Sequence, residues 1–180
     1  MKKIFTIVFL FIWTSVNEAI LKPTFKQRAS FLNAYEMIKS YEGGYANITN
    51  DIGEETYCGI SRKFFKDWDG WYHIDEYKRT KGIPEWNHYF NDITEWYVIE
   101  FYVELWVKEG FFDLENQEVA NYLFDFRIHS VIGVRIIQQQ LNEYGYHFEL
   151  NNQMNPAMVM ALNKIDSKVF LKSIMEKRID

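Results

Sequence analysis

The residues best suited to acid–base chemistry lie in one stretch, YEGGYANITNDIGEETYCGIS, at positions 41–61. Glu42 closes an apolar-patterned segment, and the C-terminal end of a helix disfavours the charged form of a carboxyl group. Such a group retains its proton and can act as a general acid. Asp51 follows nine positions later as a second carboxylate, and Thr56 can hydrogen-bond a water molecule. Hydrolysis of a glycosidic bond requires one protonated group and one ionised group of this kind.

Candidate substrate contacts flank the predicted acid. We assign this role to Gly43, Gly44, Tyr45 and Trp71. The glycines have no side chain, so they let a bulky chain molecule approach the backbone and let the following hairpin fold back across the helix end. Aromatic rings can stack on sugar rings, although packing in the core is the more common use of rings such as that of Trp71.

Other polar residues near these positions have plain structural interpretations. Asp51 lies in an Asn- and Gly-rich loop and can simply stabilise a turn. Glu54 and Glu55 are either solvated turn residues or alternative second carboxyl groups. Asp125, within LFDF, is predicted to form a structural hydrogen bond with the backbone or with Arg127. The four histidines have no metal-ligand spacing, so neither a metal nor another cofactor is predicted.

Helical periodicity and cap residues divide most of the chain into helices. The predicted helices cover 24–41, 61–70, 92–108, 117–129 and 133–144, with short ones in 71–91 on either side of a loop, after Pro156 and after Asp166. Between Tyr45 and Ile60, β-branched and aromatic residues alternate with Asn, Asp and Gly, which favours a short hairpin. The expected fold is a single all-α domain with a small β-hairpin next to the predicted acid.

The segment 92–108 has the clearest helical pattern. Asp92 is its predicted N-cap, in a capping-box pattern with the glutamate three positions later. Its wide apolar stripe includes Trp96 and Trp106, which are predicted core residues. At the end of the first helix, Gly43–Gly44 is predicted to adopt the left-handed conformation that commonly terminates helices.

Composition is sufficient for one hydrophobic core and argues against nucleic-acid binding. The chain has 180 residues, 48% of them hydrophobic, which is enough for one sizeable core. Its formal net charge of −5 is a poor match to nucleic acid.

Residues 1–19 have two lysines followed by an apolar run too short to span a bilayer, which predicts a signal peptide or leader and no permanent membrane span. We therefore expect an exported protein, periplasmic or extracellular.

The motif set resembles a known enzyme family. EGGY at 42–45, then Asp51, Gly53, Thr56 and GIS at 59–61, resembles the N-terminal signature of the family 108 glycoside hydrolases. These are N-acetylmuramidases of phage-endolysin and lysozyme-like type. The resemblance implies an α-rich, lysozyme-like fold and cleavage of the β-1,4 bond between N-acetylmuramic acid and N-acetylglucosamine. It also implies Glu42 as the proton donor and peptidoglycan glycan strands as the partner.

The second half of the chain is similar to the peptidoglycan-binding segment that follows the catalytic portion in that family. The similarity lies in VANYLFDFRIHSVIGVRIIQQQLNEYGYHF and NNQMNPAMVMALN. It implies a catalytic portion at 24–110 and a peptidoglycan-binding-like portion at 111–180, packed on the same domain.

The chain departs from the family pattern in three places. Glu54-Glu55 stands where a glycine and a variable residue are expected, HSV at 129–131 stands where Asn-Ser-Gly is expected, and Asn151-Asn152 stands where Asp-Gly is expected. These departures leave an alternative function open. The chain is then a catalytically weakened protein on the same scaffold that binds the cell wall or assists secretion.

Overall fold

The computed structural model describes residues 27–48, 54–130 and 132–179, so the predicted leader lies outside the described residues. The described part contains seven α-helices, one short 3-10 helix at Phe111–Asp113 and one small sheet. The α-helices are α1 (Phe31–Tyr41), α2 (Gly70–Lys81), α3 (Asp92–Lys108), α4 (Gln117–His129), α5 (Gly133–Glu143), α6 (Pro156–Leu162) and α7 (Ser167–Ile179). The expected α-rich domain with a small β element is therefore confirmed.

The sheet has three antiparallel strands in the order β1 (Tyr45–Asn47), β2 (Glu55–Tyr57) and β3 (Ile60–Ser61). The predicted hairpin thus continues into a third strand. Two residues, Cys58 and Gly59, connect β2 to β3, and both have positive φ, at 47° and 77°. Two-residue hairpin loops favour this conformation because its twist matches that of the strands.

Several helix boundaries agree with the sequence predictions. Both ends of α3 and α4 are confirmed, and α5 ends one residue before the predicted limit. The N-cap of α3 is Asn91 and not Asp92, because the Asn91 side chain accepts a hydrogen bond from the backbone N–H of Thr94. The shift of one residue moves the cap but leaves the helix intact.

Two predictions for the first 70 residues are wrong. The first helix begins at Phe31, since the described residues 27–30 are not helical. The segment 61–70 forms turns, and Gly70 begins α2 instead of ending a helix. A side chain at position 70 would lie 2.2 Å from the Trp68 ring, so glycine is needed there to let that ring pack.

The first helix also ends differently from the prediction. Glu42 follows α1 with extended backbone angles, and neither Gly43 nor Gly44 has a positive φ. Left-handed glycines therefore do not terminate this helix. The chain instead turns directly into β1.

The core lies where α1, α3 and α4 pack together. Phe124 is fully buried at its centre, with the rings of Phe31, Tyr102, Trp106 and Phe111 around it. The core prediction is confirmed for Trp106, which is 2% exposed, whereas Trp96 is 56% exposed. This aromatic cluster packs α1, α3 and α4 against one another.

None of the helices in the described ranges is both long and apolar enough to cross a membrane.

Candidate active site

Glu42 occupies the C-terminal end of α1, where its backbone N–H donates to the carbonyl of Ile38 at 3.0 Å. Its side chain is 17% exposed, so the carboxyl group is largely enclosed and still reachable from solvent. The helix positions the Cα atom, and the extended angles of Glu42 direct the following chain into the sheet. This side chain therefore sits at the junction of the helical part and the sheet.

The turn between β2 and β3 closes over the Glu42 carboxyl group. A Cβ atom at Gly59 would lie 2.7 Å from the carboxyl carbon and 2.7 Å from the Tyr102 hydroxyl oxygen. That hydroxyl donates to the carbonyl of Cys58 at 2.7 Å. Burial, and next the charge of Glu42, raise the pKa of Tyr102 well above its ordinary value. The neutral phenol of Tyr102, on α3, therefore holds the Cys58–Gly59 turn in place. Because Gly59 has no side chain, this turn leaves room for the Glu42 carboxyl group.

His129, the last residue of α4, contacts Glu42 directly. Its Nε2 lies 2.7 Å from Oε1 of Glu42. Its Nδ1 lies 3.0 Å from Oδ1 of Asp125, one helical turn earlier. Hydrogen bonds with Asp125 and then with Glu42 raise the pKa of His129 from 6.5 to about 10. The imidazole is therefore a cation at neutral pH.

Asp125 anchors this histidine from within the core, being 8% exposed. Its other carboxylate oxygen lies 2.5 Å from Nη1 of Arg178 on α7. Burial opposes ionisation, but hydrogen bonds from His129 and Arg178 outweigh it and lower the pKa of Asp125. Asp125 is hydrogen-bonded as expected, but the predicted partner Arg127 is wrong, because Arg127 pairs with Glu109 at 2.8 Å.

A cavity of about 280 Å³ lies along α1 beside Glu42. Its walls combine aromatic and charged side chains, including Tyr35, Tyr57, Tyr89, Phe90, Tyr102, Lys39 and Glu95. Lys39 and Glu95 form an ion pair across the gap between α1 and α3. Glu42 lines this cavity and also contacts His129, which does not line it. One carboxyl group thus faces both a ligand-sized space and a protein cation.

The other two predicted catalytic residues have different outcomes. Asp51 lies outside the described residues. Thr56 is at the middle of β2 and is partly exposed. Alternation along the strand places it on the opposite face from Glu55 and Tyr57, so it does not share their buried surroundings. Its role in the reaction stays a prediction.

The predicted substrate contacts occupy mostly buried positions. Tyr45 is 2% exposed and donates to Glu55 at 2.8 Å, and burial raises its pKa to about 12. Trp71 is 3% exposed and donates to the carbonyl of Phe65 at 2.7 Å. These rings pack in the core and present no open face, so their positions do not support stacking on a sugar.

The two glycines after Glu42 lie against the loop before α3. A Cβ atom at Gly44 would lie 2.5 Å from the carbonyl oxygen of His88, and at Gly43 it would lie 3.0 Å from the Asn87 side chain. Gly43 is exposed, whereas Gly44 is buried. The close approach that we predicted for a polysaccharide at Gly44 is made by the loop before α3.

Of the two alternative carboxyl groups, Glu55 is committed to the fold. It is 8% exposed, and Tyr45, Arg62 and Lys78 surround its carboxylate at 2.6 to 2.8 Å. Glu54 is largely exposed and lies 3.3 Å from Lys63. Glu55 therefore ties the sheet to α2 on the face away from Thr56.

Sequence reasoning missed the contribution of His129. The signal was present in part, because Asp125 and His129 are four residues apart and must share one face of a helix. Nothing in the local sequence indicates that this face meets Glu42. Among the described residues, no group of three or more His, Cys, Asp or Glu side chains could hold a metal ion.

Comparisons with known proteins identify the family of the chain. The family model described as glycosyl hydrolase 108 matches residues 35–130, which include Glu42 and His129. A solved structure, that of Brucella abortus SagA, is 19% identical, with a TM-score of 0.54 over 82% of this chain and 76% of that chain. At this identity the likeness concerns the fold alone. No curated protein matches the chain.

Proposed function

The chain belongs to the glycosyl hydrolase 108 family and is a lysozyme-type glycoside hydrolase that acts on peptidoglycan, and we propose that Glu42 is its general acid. The bond cleaved is the β-1,4 link between N-acetylmuramic acid and N-acetylglucosamine. Glu42 gives its proton to the bridging oxygen as the bond from that oxygen to the sugar breaks, and water then completes the hydrolysis. Because peptidoglycan lies outside the cytoplasm, the site of action is periplasmic or extracellular.

The observation that carries this proposal is the position of the Glu42 carboxyl group. It lies at the edge of a cavity of about 280 Å³ and is 17% exposed, so a substrate atom can reach it while bulk water is largely excluded. Two other features support an ordered carboxyl group. The Cys58–Gly59 turn packs against it, and His129 lies 2.7 Å from its Oε1.

We propose Asp51, which lies between β1 and β2 in sequence, as the second group, and Thr56 as a hydrogen-bond partner of the attacking water. The separation between the two carboxyl groups determines the stereochemical outcome. A separation of about 5 Å corresponds to retention, and about 6.5–9.5 Å leaves room for a water molecule and corresponds to inversion.

The exposed rim of the site supports a revised set of sugar contacts. Tyr89 lines the cavity, is 54% exposed and has its hydroxyl 3.4 Å from the carbonyl of Glu42. Tyr41 precedes the acid and is 74% exposed. Aromatic rings with open faces suit stacking on sugars. We propose these two rings, with Gly43, in place of Tyr45 and Trp71.

The replacement Glu42→Gln tests the proposal. It keeps the size and hydrogen bonding of the side chain but removes the transferable proton, so release of reducing sugar from purified peptidoglycan falls by about 10² to 10⁴. The matched control is Glu104→Gln, at an exposed acid on α3 that does not line the cavity, which stays within about twofold of the parent. Mass analysis of the muropeptides identifies the bond that is cleaved.

Activity of Glu42→Gln at the parental level, with the fold intact by circular dichroism, contradicts the proposal. A parent protein that binds walls but releases no reducing sugar supports the alternative, a wall-binding protein on this scaffold.

A further inference from the structure

His129 faces an oxygen acceptor with each of its ring nitrogens. Nε2 lies 2.7 Å from Oε1 of Glu42, and Nδ1 lies 3.0 Å from Oδ1 and 2.9 Å from the backbone carbonyl of Asp125. An ionised carboxylate and a carbonyl can only accept hydrogen bonds, and a neutral imidazole has a single N–H to donate. Once Glu42 has given up its proton, both contacts are satisfied together by the imidazolium form.

The imidazole is held by rigid elements on the side away from Glu42. Asp125 and His129 are one turn apart on α4, and Arg178 reaches Asp125 from α7. The Arg178 guanidinium also lies over the rings of Phe126 and Tyr122, at 5.2 Å and 5.4 Å. Side chains supported in this way keep a fixed position. A residue that orients another side chain must itself be fixed in this way.

Among the described residues, the charged side chain within hydrogen-bond distance of the Glu42 carboxyl group is that of His129. From α1 and α3, Lys39 and Glu95 neutralise each other as a pair. From the turn, burial raises the pKa of Cys58 to about 11, so the thiol is neutral. The remaining groups facing the site are phenols, from Tyr35, Tyr57, Tyr89 and Tyr102.

We propose that His129 is a positioning residue, an imidazolium that holds Oε1 of Glu42 and stabilises the carboxylate formed when Glu42 gives its proton to the leaving oxygen. The proton comes from Glu42, the bond from the leaving oxygen to the sugar breaks, and the water that adds to the sugar returns a proton to solvent. A cation that meets a developing negative charge lowers the barrier. This inference rests on the proposed function of Glu42.

The test compares His129→Asn and His129→Ala with the parent and with Glu42→Gln on purified peptidoglycan. Asparagine keeps a donor without the charge, and alanine removes both. We expect kcat at pH 7 to fall about 10- to 100-fold in His129→Ala, less than the 10²–10³ lost when a donor to the reacting atoms is removed. We expect a smaller loss in His129→Asn, with KM within about twofold in both variants.

The pH profile provides a readout that a structural role would not change. The limb of the kcat profile on which activity is lost as Glu42 ionises lies at higher pH in His129→Asn than in the parent, because the imidazolium stabilises the carboxylate. Imidazole added to His129→Ala restores part of the activity, and it restores none in Glu42→Gln.

NMR titration of the imidazole provides a second measurement, independent of turnover. In Glu42→Gln the ring loses its proton at lower pH than in the parent, because one carboxylate partner has become a neutral amide. An unchanged titration overturns the proposal. So does parental kcat in both His129 variants while Glu42→Gln is inactive, which leaves the function of Glu42 standing. An active Glu42→Gln removes both the proposed function and this role.

Discussion

At the scale of single residues, the surroundings of Glu42 have two sources. One is the end of α1, which the residue follows directly. The other is His129, which arrives on α4 with Asp125 and Arg178 behind it. The first source acts through backbone dipoles that disfavour a carboxylate, and the second through a full positive charge at 2.7 Å that stabilises one. The second is the stronger at this distance, so the prediction from the helix end alone does not describe the folded site.

The charge on His129 also makes the stability of the protein depend on pH. The pKa of His129 is raised from 6.5 to about 10 in the folded protein, so the folded state binds this proton more tightly than the unfolded state. Its contribution is fully present below about pH 6.5 and is lost as pH rises through about 10. We expect the free energy of unfolding in urea to fall more steeply between pH 6.5 and 10 for the parent than for His129→Asn.

The control for this measurement is His147→Asn, at an exposed histidine beyond α5. Its pH dependence should follow that of the parent. Parallel curves for the parent and His129→Asn would contradict the predicted charge on His129.

At the scale of elements, the loop before α3 and the start of the sheet are joined by a clamp, which consists of two backbone hydrogen bonds between Tyr45 and residues 87–88. Tyr45 donates its N–H to the carbonyl of His88 at 2.9 Å and accepts from the N–H of Asn87 at 2.7 Å. Gly44 lets this pairing form, because any side chain there would overlap backbone atoms of the loop. The clamp holds the sheet at the end of α1, next to Glu42.

A pair of glycine substitutions tests the clamp. Gly44→Ala places a methyl group 2.5 Å from a carbonyl oxygen that cannot move without breaking the pairing, so we expect a loss of about 1–3 kcal/mol in unfolding free energy and lower activity. Gly43→Ala meets only the Asn87 side chain, at 3.0 Å, and should cost less. Thermal unfolding of the two variants measures the difference. Equal losses would show that the loop does not restrict this position.

At the scale of the whole molecule, one aromatic core orients both halves of the site. Phe124 is fully buried on α4 and packs edge-on against Trp106 on α3 and Phe31 on α1, with ring centroids 5.0 Å and 6.4 Å away. The same three helices carry His129, Tyr102 and the end that presents Glu42. Loss of this packing would loosen the site together with the fold.

Phe124→Ala is therefore expected to cost about 3–5 kcal/mol of stability, because it removes a fully buried ring and leaves a cavity. Urea unfolding measures the change. Ile83→Ala, at a position 78% exposed, is the control and should stay within about 0.5 kcal/mol of the parent. A loss below about 1 kcal/mol at Phe124 would mean that the core does not depend on this ring.

Predictions from sequence succeeded where the physical cause is local. The boundaries of α3 and α4 follow from apolar periodicity and from Asn, Lys and Gly residues at their ends, which act within one or two turns. The position of Glu42 at the end of a helix has the same origin. Prediction failed at 61–70, where pairing with β2 and the packing of Trp68 against Gly70 outweigh local helical preference.

The fold class, the family motif and the candidate acid can all be recognised in the amino-acid sequence. Three other facts emerge from the folded chain: His129 lies beside that acid, Gly44 lies against the chain's own loop, and Tyr45 and Trp71 are buried. These facts depend on how distant segments pack. A local pattern specifies which face of a helix is apolar. The packing of whole elements determines which residue each polar side chain beside that face contacts.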